Sequence, residues 1–102
     1  MIKMQAEICR ILSNPARFHV IKLLCDGERN AAELLKETGL SKANLSQHMS
    51  VLVHNGIAVS RRDGKAVYYR LEDRKISKAC TIMQEVVIDG IKRKTSIINR
   101  AM

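Results

Sequence analysis

Apolar residues recur at intervals of three and four along most of the chain, give way once to strict alternation, and then resume the helical interval. This predicts helices on both sides of one β-hairpin. A first helix over 2–12 carries Ile8, Cys9, Ile11 and Leu12, and it stops where Ser13-Asn14-Pro15 offers a cap followed by a proline suited to a first turn. The second helix runs from there with Phe18, Val20, Ile21, Leu24 and Cys25 on its buried side, and Asp26-Gly27 ends it. After a short extended link, Asn30 caps a third helix carrying Ala31, Leu34 and Leu35. Gly39 terminates that helix in time for Ser41 to cap a fourth.

The fourth helix, Ser41 to Gly56, is the stretch around which the rest is organised. Leu45, Met49, Leu52 and Val53 supply an apolar stripe, while Lys42, Ala43, Asn44, Ser46, Gln47 and His48 cluster at its leading end. Short and hydrogen-bonding side chains there let a backbone approach base edges, where Asn or Gln can pair bidentately with adenine and Ser adapts to several bases. Taken alone, the stretch is more simply an amphipathic helix with a solvated polar face. Its neighbours reverse that reading, because helix, tight glycine turn, helix is the helix-turn-helix arrangement.

Beyond Gly56 the alternating segment has Ile57 and Val59, then Arg61-Arg62, then Asp63-Gly64, then Val67, Tyr69 and Leu71 on one face. Asp63-Gly64 is expected to form the two-residue turn, since both central positions of a type I′ turn need positive φ. Arg61, Arg62 and Lys65 make the tip basic, in reach of a phosphate backbone, although a charged hairpin end is commonly just a solvated loop. The last segment, Glu72 to about Ile98, reads as one helix whose stripe of Ile76, Ala79, Cys80, Met83, Val86, Val87 and Ile91 exceeds what so small a domain can cover. A core-facing helix is the plainer reading, but the stripe's length points to a dimer seam completed by the first helix. Lys92, Arg93, Lys94 and Arg100 near its end are expected to be solvated.

Composition narrows the partner. The 102 residues are expected to form one domain, and 18 Lys and Arg against 10 Asp and Glu give a net charge of +8, which suits a polyanion. Only 3% of residues are aromatic, too few for a platform that stacks single strands, so duplex DNA is the better fit. No apolar run is long enough for a signal peptide or membrane span, which leads to an expected cytoplasmic location without membrane association. The three cysteines Cys9, Cys25 and Cys80 are widely spaced and odd in number, and are expected as free thiols.

With these elements in place, the sequence resembles the ArsR/SmtB family of bacterial winged helix-turn-helix repressors. The likeness is carried by LSNPARFHVIKLL, AAELL and GLSKANLSQHMSVLVHNGIAVSRRDGKAVYYRL. It implies a mainly α fold with a small β-hairpin wing, residues 1–102 forming one DNA-binding domain whose first and last helices seal a homodimer. It also implies an inverted-repeat operator released when an inducer binds. The expected DNA-binding residues are Ser41, Lys42, Asn44, Ser46, Gln47, His48, Arg61, Arg62 and Lys65. The family's metal-ligand positions are not kept. Its thiolate site would use the places of Asn30 and Ala32, and its inter-helix zinc site those of Asp73, Lys75, Val86 and Asp89. The two cysteines of the persulfide-sensing branch would fall near Lys22 and Ile88. No metal or other cofactor is therefore expected.

The inducer is not named by the sequence. Candidate sensors are Cys9, Cys25 and Cys80, responding to an oxidant, a reactive sulfur species or a soft metal or metalloid. Cys9 and Cys80 lie on the stripes expected to form the seam, where they could come close within or between subunits, and Cys25 sits nearer solvent at the end of the second helix. Inert packing of each thiol is the competing reading. An enzyme is not expected, because there is no Gly-rich phosphate loop and His19, His48 and His54 are isolated. A winged-helix module that binds protein is the remaining alternative, and it would not require the basic wing.

Overall fold

The computed structural model describes residues 1–101. Its elements are α1 (Ile2–Leu12), α2 (Pro15–Leu24), β1 (Arg29–Asn30), α3 (Ala31–Thr38), α4 (Lys42–His54), β2 (Ala58–Asp63), β3 (Ala66–Leu71) and α5 (Arg74–Ala101).

Local chemistry sets the helix ends. The Asn14 side chain accepts from the backbone N–H groups of Ala16 and Arg17, satisfying donors that an α-helix leaves free, with Pro15 at the first position of α2. Asn30 and Glu33 form a reciprocal capping box at the start of α3. Gly39 closes α3 in the left-handed region at φ 71°, its N–H donating to the Leu35 carbonyl. Two residues later the Ser41 hydroxyl accepts from the Asn44 N–H at 3.1 Å, so α3 turns into α4 over Gly39, Leu40 and Ser41. At the far end of α4, Ile57 N–H donates to Leu52 and Gly56 N–H to Val53, the double closure of a Schellman motif.

The strands form one antiparallel sheet in the order β1-β3-β2. The link between α2 and α3, expected only to be extended, pairs with β3 through Arg29 opposite Tyr69 and Asn30 opposite Tyr68. Asn30 is thus both a strand residue and the cap of α3. The hairpin turn sits one residue later than expected. Asp63 pairs with Ala66, so the loop residues are Gly64 and Lys65, not Asp63 and Gly64. Gly64 has φ 62°, and among the described residues no non-glycine residue has positive φ. Positive φ at the first loop position alone belongs to the glycine-first II′ turn rather than to I′.

The core is Ile11, Val20, Ile21, Leu24, Leu34, Leu45, Met49, Leu52, Ile57, Ala58 and Cys80. Val53, assigned to the buried stripe of α4, is instead 36% exposed. It follows Leu52 and so lies about 100° further round the helix, off the Leu45-Met49-Leu52 line. In β2 the inward residue is Ala58, opposite Leu71, while Val59 is paired with Arg70. The closing helix begins at Arg74, and α5 packs on α2 and β3 with Ile76 and Cys80 against the core. Cys80 is buried there, whereas Met83, Val86, Val87 and Ile91 of the same stripe are exposed, as are Ile2, Met4 and Ile8 of α1.

Candidate nucleic-acid interface

Helical geometry decides which α4 side chains face outward. Taking Leu45 as the centre of the buried line, Gln47 lies about 200° round the helix and Ser46 about 100°, while His48 comes back to within about 60° of it. The observed burial follows: Ser46 and Gln47 are exposed and His48 is half-buried on the flank. Ser41, Lys42 and Asn44 are exposed at the leading end, where the Ser41 cap fixes the first turn. The structure therefore brings six of the expected groups, all of them on or capping α4, to one end of one element. Of these, Gln47 points most directly away from the core.

The wing separates its two arginines. Side chains alternate across a strand, so Ser60 and Arg62 share a face with their neighbours' Tyr69 and Val67, and Arg61 shares the other with Tyr68. The first face borders an open cleft of about 620 Å³, whose other wall includes Ala31, Leu35, Lys42 and Ser46 of α3 and α4. Burial raises the Tyr69 hydroxyl pKa, with the nearby Arg62 charge acting the other way. Lys65 occupies the turn itself and is exposed.

On the opposite face Arg61 is already engaged. Its Nε donates to Glu28 Oε2 at 2.9 Å and its Nη2 to Glu28 Oε1 at 2.6 Å, a bidentate fork. The guanidinium also lies 4.3 Å from the centre of the Tyr68 ring. The hydrogen bonds hold the Glu28 carboxyl below its ordinary pKa and raise that of Arg61. Sequence reasoning treated Arg61, Arg62 and Lys65 as equivalent and passed over Glu28. The alternation of β2 could have separated the two arginines. Nothing local could have paired Arg61 with a residue 33 positions earlier.

The thiols also sort differently from expectation. Cys9 is exposed on α1, Cys25 caps the end of α2 and is half-buried, and Cys80 is buried in the core. Within one protomer the thiol that influences Cys80 is Cys25: burial pushes the Cys80 thiol pKa up, Cys25 adds to the rise, and Lys22 opposes it. The two helices are also joined by Lys22 Nζ donating to Gln84 Oε1 at 2.9 Å, about one turn from each cysteine. Among the described residues no three His, Cys, Asp or Glu side chains converge as a metal-holding group.

Comparison with known proteins agrees with this architecture. The model of the bacterial regulatory protein, arsR family, matches residues 14–60. The HTH-type transcriptional regulator Rv0081 of Mycobacterium tuberculosis is 30% identical over 99 residues, covering 96% of this chain and 87% of that protein. Its crystal structure superposes with a TM-score of 0.86 at 32% identity, over 92% of this chain and 95% of that one. An arsenical resistance operon repressor of Staphylococcus aureus is 32% identical over 94 residues, 92% of this chain and 79% of that one. The crystal structure of the transcriptional repressor BigR from Xylella fastidiosa gives a TM-score of 0.74 at 30% identity, covering 84% and 91% of the two chains.

Proposed function

The chain belongs to the ArsR family of bacterial regulatory proteins, and from that premise we propose that it is a homodimeric repressor that reads an inverted-repeat DNA operator and leaves it when an inducer acts. The observation that carries this reading is the exposed polar edge of α4, Ser41 to Gln47, held by a side-chain cap at one end and a Schellman closure at the other. A helix fixed in this way presents its leading side chains to the major groove. Ser46, Gln47 and the flanking His48 supply sequence choice. Ser41, Lys42 and Asn44 meet the groove edge, and Arg62 and Lys65 of the wing meet phosphates. The net charge of +8 per chain supports a polyanionic partner.

The test is binding of labelled duplex from the gene's own upstream region across a salt series. Gln47→Ala is expected to cost about 1 to 3 kcal/mol and relax base preference, whereas Arg62→Ala weakens all sequences alike and lowers the salt slope by about 0.9 for each phosphate no longer neutralised. No binding at low salt, or indifference to both substitutions together, turns the reading to a protein-binding winged helix.

For the inducer we favour thiol chemistry, supported by the placement of Cys25 at the end of α2 and of Cys80 in the core on α5, two helices that pack on each other. Oxidation of these thiols or their capture by a soft metal or metalloid shifts α5 against the DNA-reading body. Operator binding by serine variants of Cys9, Cys25 and Cys80, singly and together, is followed with peroxide, persulfide and arsenite. A triple variant that responds like the parent removes the thiol reading.

A further inference from the structure

We propose that Glu28 is a positioning residue for DNA binding, holding Arg61 on the outer face of the sheet so that the wing meets phosphate through Arg62 and Lys65 without it. The inference rests on the DNA-binding reading and deepens it. Three features support it independently. Both oxygens of Glu28 are taken by Arg61, which fixes the planar fork in one orientation. Tyr68, directly opposite Arg61 in the ladder, receives the guanidinium on its ring and removes the freedom to swing toward the tip. Strand alternation sets Arg62 on the face bordering α3 and α4, so neighbouring arginines serve opposite sides of the sheet. The pair is half-exposed, with side-chain accessibilities of 51% for Arg61 and 31% for Glu28. Its Coulomb energy is consequently modest, and its geometric effect is the larger one.

A free guanidinium on the wing adds a phosphate contact and with it a sequence-independent gain in affinity. Glu28 therefore acts as a restraint on non-specific binding. The experiment measures binding of the full-length dimer to non-operator duplex over a salt series. The proteins are the parent, Glu28→Gln, Arg61→Gln and the double variant, each checked for folding by circular dichroism. Glu28→Gln is expected to steepen the salt slope by about 0.9 for each guanidinium released, about two per dimer. Arg61→Gln leaves the slope at the parental value, and the double variant returns it there. A steeper slope that persists without Arg61 overturns the proposal, since the loss of a negative charge is then the whole effect. An unchanged slope in Glu28→Gln, or a shallower one in Arg61→Gln, overturns it as well. Arg61→Gln alone discriminates even where the Glu28 variant fails to fold. A parent that binds no duplex at low salt removes the DNA-binding reading first, and this one with it.

Discussion

Burial treats the three thiols unequally, and their reactivity should follow. Cys80 is 6% exposed and its thiol pKa is raised, so little thiolate is present at neutral pH. Limited alkylation by iodoacetamide followed by peptide mass analysis is expected to modify Cys25 well before Cys80, with Cys80 labelling only as the protein unfolds. Equal rates would mean that α5 lifts off α2 readily. The sign of the pH effect is also set. A raised thiol pKa contributes stability that is present below the unfolded value, about 8.5, and is lost as pH rises through the folded one. The lowered Glu28 carboxyl runs oppositely, contributing above the ordinary carboxylate range and fading as pH falls through its folded value. Sequence pattern placed Cys80 on an apolar stripe correctly, but within one protomer it did not foresee Cys25 as the thiol that acts on it. The crossing of α2 and α5 joins residues far apart in the chain, and helical periodicity carries no information about which turn meets which.

Element boundaries were legible wherever a side chain satisfies the backbone locally. Asn14, Asn30, Gly39 and Ser41 all act as the sequence suggested, because capping depends on residues within a few positions of each other. The failures have the complementary cause. Arg29-Asn30 is too short to alternate, and only its pairing with β3 makes it a strand. The wing turn moved by one residue because cross-strand register, not the Asp63-Gly64 dipeptide, decides which two residues are left over. Gly39 permits a direct test at this scale. A Cβ added there meets nothing within 4 Å, so any penalty comes from its φ of 71°. Gly39→Ala is expected to cost about 1 kcal/mol, lowering Tm by roughly 4 to 8 °C. Because Gly39 sets the turn into α4, operator affinity should fall with it. A variant with parental Tm would show that the α3–α4 turn does not need the left-handed conformation.

At the scale of the whole molecule, α5 is the outlying part. Its 28 residues span about 42 Å, and beyond Cys80 its apolar side chains face solvent in the single chain. Val86 is 56% exposed, and a carboxylate there would be stranded in the proposed seam. Val86→Glu is expected to weaken dimerisation by about 3 kcal/mol, on the order of a hundredfold. Sedimentation velocity at micromolar concentration reads this as a shift to monomer. Unchanged dimerisation would remove this seam. The double duty of Asn30 bears on how such a dimer is controlled. One residue is bonded into the sheet and simultaneously caps α3, so the wing cannot tilt without carrying the start of the helix-turn-helix along. Sheet and α3 are coupled through this one residue. On the proposed reading, a signal that acts through α5 meets a wing coupled to the start of the helix-turn-helix. The motion this coupling favours is rotation of each reading head as a unit about the proposed seam, which would throw the two α4 helices out of phase with successive turns of the duplex.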